Sequence, residues 1–410
     1  MDVREIEKRI EAVSTPPVNK VAVAYSGGLD SSLSIELLRR KYKAKEIVPI
    51  TIDIGQGEGE LAQSRRYAQA LNIEPLLLDA KAEFANEWVS MAIKANASYE
   101  GYPVSTSMTR QLVARKVAEK ALELGCDALL EGSSGKGNDQ YRMHNVFTLF
   151  APGLKVLVPV RDFDLTRSEE EVLSEAWGVP VAETLPGGDD KTMWCRSIAS
   201  GAIDLNQEIP DEIWMWLVPP EKAKDEAETV KIEFAEGLPV ALDGDRADLA
   251  ELIALLNVIG GRNGIGLIDM FEDGIMDLKS REIYEAPAAK IILLLHRDLE
   301  GFCLTKDEIL FKAGIDQKWA YMMYHGEAFH PLRYSLEAFI NQTQKTVSGR
   351  YEVKLYKGNV EIMNRESETS LFSPEIRSIK AKGFDQRWCR NAAYVRGLPY
   401  QILAGRGRKK

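Results

Sequence analysis

The sequence predicts an α/β protein: a parallel-sheet nucleotide-binding domain, then an α+β domain and a short C-terminal segment. Three observations carry this. From Val21 to Trp177, short apolar runs alternate with helix-length segments, the pattern of a parallel sheet covered on both faces. Two polar glycine-rich stretches, at 26–32 and 132–142, each follow an apolar run, so both leave the C-terminal edge of that sheet, where such folds hold ligands. After about Pro180 the texture shifts, with PGGDD and the solvated stretch PPEKAKDEAET ahead of a new set of elements.

Residues 1–19 read as an N-terminal appendage, a short amphipathic helix with Val3, Ile6 and Ile10 on one side, ended by Pro16 and Pro17. In the nucleotide-binding domain, residues 20–180, strands are expected at VAVAY, EIVPITID, PLLLD, DALLEG and VLVPV. Helices are expected through IELLRRKY, LAQSRRYAQAL, EWVSMAIKAN, VARKVAEKALEL and EEEVLSEAW. The second domain, residues 181–383, has strands near VKIEFA, GLIDMFE, GIMDLK, YEVKLY and NVEIMN, with helices near LAELIALLNVIG and AAKIILLLHRDLE. Residues 384–410 form the C-terminal segment, in which Gly397-Leu398-Pro399 predicts a poor long helix.

At 410 residues, 45% hydrophobic and 28% charged, the chain can bury a sizeable core. Its net charge of -10 argues against nucleic acid as a partner, because that affinity comes from clustered Lys and Arg. MDVREIEKRI has no apolar signal region, and no stretch has the length of a membrane span. Cys126, Cys195, Cys303 and Cys389 form no CxxC pair, so reduced thiols and a cytoplasmic location are expected. His144, His296, His325 and His330 read as structural or surface residues, and no side-chain motif marks a metal site.

Chemistry concentrates in Ala24-Tyr25-Ser26-Gly27-Gly28-Leu29-Asp30-Ser31-Ser32. Between a strand and a helix, backbone N–H groups and the helix dipole converge on one point, which suits an anion. The glycines let the backbone approach a phosphate, and Ser26, Ser31 and Ser32 can donate hydrogen bonds. Asp30 cannot hold phosphate by its own charge; orienting the loop and helping to hold Mg2+ are both open to it. Neither GxxxxGK[ST] nor GxGxxG is present, so neither a Walker loop nor a dinucleotide site is supported. The second stretch, Gly132 to Arg142, carries three glycines, Lys136, Arg142, Asn138 and Asp139, groups suited to an amino-acid zwitterion.

SGGLDSS resembles the pyrophosphate loop of the N-type ATP pyrophosphatases. With GKGNDQxR, and with DIGQ, YEGYPVSTS, RSI, GLIDMFED and KSREIYEAPAA, the chain resembles the argininosuccinate synthase family over nearly its whole length after residue 19. That resemblance implies ATP-dependent ligation of citrulline and aspartate through a citrullyl-adenylate, releasing AMP and pyrophosphate, in arginine biosynthesis. By position it implies ATP on Ala24 to Ser32, near Ile52 and on Gly132. It implies aspartate on Ser134, Asn138 and Asp139, and citrulline on Tyr102, Ser107, Asn138, Arg142, Ser197, Glu272 and Tyr284. It also implies Mg2+ with the ATP, no covalent nucleophile, and a homotetramer with a C-terminal helix reaching across subunits.

The chain departs from the family pattern at Gly188, where a citrulline-binding serine is usual. It also departs at Glu131 for His, Ser134 for Thr, Met143-His144 for Phe-Glu, and Gly274 for Arg. These departures bear on the acceptor, and two alternatives follow: a paralogue adenylating another ureido or amide oxygen, and a non-catalytic nucleotide or amino-acid sensor.

Overall fold

The computed structural model describes residues 2–180, 189–198 and 209–407; Gly187 and Gly188 lie outside the described residues. Helix α1 (Val3–Ala12) starts on Asp2, whose carboxylate accepts from the Arg4 N–H, and buries Ile6 and Ile10. The chain continues through β1 (Lys20–Ala24) and α2 (Leu29–Leu37), extended by a π-helical turn, Leu38–Tyr42. Then come β2 (Glu46–Asp53), α3 (Glu58–Ala70) and β3 (Leu76–Asp79). A helical run follows as α4 (Lys81–Glu83), a π-helical stretch Phe84–Val89 and α5 (Ser90–Lys94). The small hairpin β4 (Ser98–Tyr99) and β5 (Tyr102–Pro103) leads to α6 (Thr106–Glu123) and β6 (Ala128–Leu130). The half closes with α7 (Asp139–Phe150), β7 (Lys155–Leu157), α8 (Pro159–Asp162) and α9 (Arg167–Trp177).

Five of these strands form one parallel sheet in the order β3-β2-β1-β6-β7. The strand period of two sends side chains to alternate faces, and both faces are apolar. Val21 and Val23 join a cluster with Ile6, Ile10, Leu33 and Leu173, whereas Ala22 belongs to the other large cluster, with Ile50, Trp88 and Leu112. Each such aliphatic side chain contributes about 1.5–3 kcal/mol by leaving water, so α1 is packed into the first layer through Ile6 and Ile10. VLVPV is a strand only to Leu157, because Pro159 has no N–H for the ladder and opens α8 at its first position instead.

The second half contains β8 (Asp189–Lys191), β9 (Arg196–Ile198), β10 (Glu228–Ala235), β11 (Leu238–Leu242), β12 (Asp245–Arg246) and α10 (Leu249–Arg262). It continues with β13 (Leu267–Asp273), β14 (Lys279–Glu285), α11 (Pro287–Cys303), α12 (Lys306–Tyr324), α13 (Pro331–Gln344), β15 (Gly349–Tyr356) and β16 (Asn359–Glu366). Two antiparallel sheets result, β12-β11-β10-β15-β16 and β13-β14-β9-β8. GIMDLK is mostly the turn of the β13–β14 hairpin rather than a strand, since the Gly274 N–H bonds the Leu278 carbonyl at 2.9 Å. The second of these sheets is fixed by fully buried Arg196, paired with Asp189 at 2.7 Å and with Glu285. The other Glu285 oxygen accepts the N–H groups of Met215, Trp216 and Leu217 at 3.1, 2.9 and 2.8 Å. This staple holds β9 to β14, so that Ser197 lies opposite Tyr284.

Residues 370–410 form a separate compact unit with α14 (Pro374–Arg377) and α15 (Cys389–Gly407). Contrary to the expectation from Gly397-Leu398-Pro399, α15 runs through Pro399; proline removes one backbone hydrogen bond but does not always end a helix. All four cysteines are free, with Cys389 exposed. Buried His296 bonds Asn96 and Gln344, a structural role. No described helix is long and apolar enough to cross a membrane.

Candidate active site

The first loop turns sharply at Gly27, whose φ is +80°. A Cβ there would lie 2.5 Å from the Ser64 Cα on α3, so only glycine fits. Gly28 is the N-cap of α2. The Ser26 hydroxyl accepts the Gly28 N–H at 3.2 Å and lies 3.1 Å from the Ser31 hydroxyl, which also donates to the Gly28 carbonyl at 3.1 Å. The hydroxyls and the helix start thus form one small cradle of donors. Tyr25 is anchored behind it: its N–H bonds Ile50 and its carbonyl accepts from Thr51 at 2.8 Å. Ile52 is buried in β2, with its carbonyl accepting from Gln56 at 3.0 Å. Asp30 pairs with Arg167 at 2.5 Å, which orients the loop.

The second loop meets the first directly. Gly132 approaches so closely that a Cβ would sit 3.1 Å from the Ser31 nitrogen and 3.2 Å from the Asp30 carbonyl carbon. Just before it, the Glu131 carboxylate accepts the Ser133 N–H at 2.8 Å, and burial pushes its pKa up to about 7. Asp139 begins α7 between two guanidinium groups, Arg110 at 2.7 Å and Arg142 at 2.8 Å. Desolvation opposes its charge, but the two arginines win and lower its pKa to about 2. Arg110 also pairs with Asp190 of β8; burial outweighs that arginine and raises the Asp190 carboxyl.

Residues distant in sequence complete a cavity of about 280 Å³. It is lined by Asp30, by Ser134, Asn138, Asp139 and Arg142, by Tyr102, and by Ser197, Glu272 and Tyr284 from the second half. Tyr102 stacks on Tyr284 with ring centroids 4.2 Å apart, and Tyr99 stacks on Tyr324 at 3.7 Å. Glu272 accepts hydrogen bonds from the hydroxyls of Tyr284, at 2.8 Å, and Tyr324. Burial, and then the neighbouring charges, hold the Tyr284 hydroxyl well above the ordinary tyrosine range, so it stays protonated as a donor. The Asn138 amide donates to Tyr324 at 3.0 Å and its oxygen accepts the Ile275 N–H at 2.8 Å. Arg142 donates to the Tyr324 carbonyl at 2.9 Å.

The structure brings Asp30 of the first loop together with expected residues of the second loop and second half around this cavity, whereas the rest of Ala24 to Ser32, Ile52 and Gly132 do not line it. Ser107 does not line it either: it is fully buried, and its hydroxyl has no hydrogen-bond partner. Tyr324, Arg110, Asp190 and Arg167 escaped the sequence reading because their roles arise from pairing with residues far along the chain. At Gly274 a Cβ would come 3.0 Å from the Asn138 side-chain oxygen, so glycine there leaves room for the Asn138–Ile275 bond. Among the described residues, no group of three or more His, Cys, Asp or Glu could hold a metal ion.

Comparison with known proteins gives the family. Residues 20–180 match the model of the arginosuccinate synthase N-terminal HUP domain, and residues 189–403 match that of the arginosuccinate synthase C-terminal domain. The argininosuccinate synthase of Methanopyrus kandleri is 44% identical over 395 residues, covering 95% of this chain and 100% of that protein. Those of Methanococcus maripaludis and Archaeoglobus fulgidus are each 42% identical, covering 95% and 94% of this chain and 99% and 98% of theirs. The chain belongs to the argininosuccinate synthase family.

Proposed function

We propose that the chain ligates L-citrulline and L-aspartate into argininosuccinate at the expense of ATP, the reaction of EC 6.3.4.5 in arginine biosynthesis. The observation that carries this is the single cavity shared by Asp30 of the first loop and by groups of the second loop and second half. ATP would lie along Ala24 to Ser32, near Ile52 and against Gly132. Aspartate would meet Ser134, Asn138 and Asp139, and citrulline would meet Tyr102, Asn138, Arg142, Ser197, Glu272 and Tyr284.

Citrulline's neutral ureido oxygen is a weak nucleophile, so attack on the α-phosphorus depends on positioning and on stabilising the departing pyrophosphate. The cradle formed by Ser26, Gly28 and Ser31 supplies preorganised donors. The adenylated ureido carbon then accepts the aspartate amine, with AMP leaving, and no covalent enzyme intermediate is needed. Mg2+ bound with the ATP would neutralise charge on the departing pyrophosphate, and Asp30, at the mouth of α2 and lining the cavity, is the carboxylate that would help to hold it. We infer a cytoplasmic enzyme and a homotetramer; light scattering of the purified protein tests the latter. Pyrophosphate release from ATP and aspartate with a panel of acceptors tests the reaction. Release with citrulline is expected, and release only with another ureido or amide compound would overturn the acceptor.

A further inference from the structure

The first loop has hydroxyls and backbone N–H groups but no lysine, although pyrophosphate departs with added negative charge. A cation stands beside it nonetheless: Arg167 is the first residue of α9, and Asp30 is the second of α2. We propose that Arg167 is the phosphate-binding cation of this site, leaving Asp30 to pair with the β- and γ-phosphoryl oxygens of ATP while Glu170 takes over Asp30. This rests on the reading of the loop as an ATP site.

Three features support the exchange. The Arg167–Asp30 pair has side chains 49% and 37% exposed, and an exposed ion pair holds its partners weakly, whereas a guanidinium and a phosphate form parallel charge-assisted hydrogen bonds. Glu170, one turn along α9, is 3% exposed; one of its oxygens has no hydrogen-bond partner and lies 4.0 Å from the Arg167 guanidinium. Burial, then Asp30, push the Glu170 carboxyl well up, with Arg167 opposing and Glu171 adding to the rise. Glu170 is therefore held toward its protonated form and already shares a hydrogen bond with Asp30, so Asp30 keeps a partner when Arg167 turns to the phosphates. Finally, the start of α9 is braced. Thr166 and Glu169 form a capping box, and Glu169 pairs with Arg9 of α1 at 2.7 Å. Trp177, at the other end of α9, donates to Glu7 at 2.9 Å. Helix α1 thus positions the helix that carries the cation.

In the reaction, the ureido oxygen forms its bond to the α-phosphorus as the bond from that phosphorus to the bridging oxygen breaks. The electron pair leaves on pyrophosphate, and Arg167 contributes charge while keeping its protons. Calorimetry of MgATP and of magnesium pyrophosphate binding tests this with the full-length wild type, Arg167→Met, Arg167→Lys, Asp30→Asn and the Arg167→Met/Asp30→Asn double variant. Arg167→Met is expected to weaken pyrophosphate binding roughly 10- to 100-fold, Arg167→Lys to recover part of it, and the Met loss to persist beside Asp30→Asn. Binding by Arg167→Met within twofold of wild type would overturn the proposal, as would a loss that vanishes beside Asp30→Asn, since Arg167 would then act only through Asp30. A wild type that binds neither MgATP nor pyrophosphate would instead overturn the ATP reading of the loop, and the proposal with it.

Discussion

Glu272→Gln probes the wall that the second half contributes to the cavity. The carboxylate accepts from Tyr284 at 2.8 Å and from Tyr324, and all three side chains are buried. Gln keeps the shape and one carbonyl oxygen, but its amide cannot accept the second hydroxyl, and the surviving bond loses its charge. A hydrogen bond to a charged group is worth about 1.5–3 kcal/mol. If that fixes the tyrosines against the acceptor, the citrulline KM should rise roughly 10- to 100-fold, with the ATP KM within about threefold of wild type. Initial rates of pyrophosphate release, with each substrate varied at saturating levels of the others, measure this, and urea unfolding reports the stability lost. An unchanged citrulline KM beside a clear fall in stability would refute the reasoning, because Glu272 would then only hold β13, β14 and α12 to one another.

Gly27→Ala should weaken MgATP binding and lower the melting temperature. The left-handed backbone alone costs about 1–2 kcal/mol, and the new Cβ meets the Ser64 Cα at 2.5 Å. Gly57→Ala, at φ +100° with no neighbour within 4 Å, isolates the strain and should leave ATP binding nearly intact in the same calorimetry. For Asp139, the fall from 3.8 to about 2 contributes about 2.5 kcal/mol. That stability is present above the unfolded pKa and is lost as pH falls through the folded one. Asp139→Asn should therefore be less stable at pH 7, with roughly half the gap gone by pH 3 in urea titrations. Glu131 has the opposite sign: its rise from 4.5 to about 7 means its stability is full below 4.5 and is lost as pH rises through 7. Glu131→Gln should therefore gain about 3 kcal/mol over wild type between pH 4 and pH 8. A constant difference across that range would contradict the burial argument.

Local order was legible where a short segment decides its own conformation. The strand, double glycine and helix of residues 20–37 predicted the parallel sheet and the tight turn that sets Ser26 and Ser31 at the start of α2, and the glycines of 132–137 predicted the facing loop. Helix α12 was not visible, because it buries Lys312 and Asp316 along with Trp319, Met322 and Met323, so polar residues interrupt its apolar stripe. Those polar groups are satisfied by Lys312 pairing with Asp316 one turn along at 2.7 Å and with Glu300 of α11 at 2.9 Å, the second a contact that only tertiary structure creates. Tyr324, at the end of that helix, escaped notice for the same reason. Helix α7 was hidden because its first turn is also the binding loop, and the glycines before it read as irregular chain. Helix α15 is the converse case: Gly397-Leu398-Pro399 reads as a break, yet the helix continues through Pro399.

Asn138 and Arg142 end on main-chain atoms of the second half, the Ile275 nitrogen and the Tyr324 oxygen. A fragment severed near residue 180 would keep the hydroxyl cradle of Ser26 and Ser31 yet lose the anchors of Asn138 and Arg142. Borrowing this module for another ligase would therefore require transplanting the 275 and 324 backbone segments with it, whatever side chains are redesigned around them.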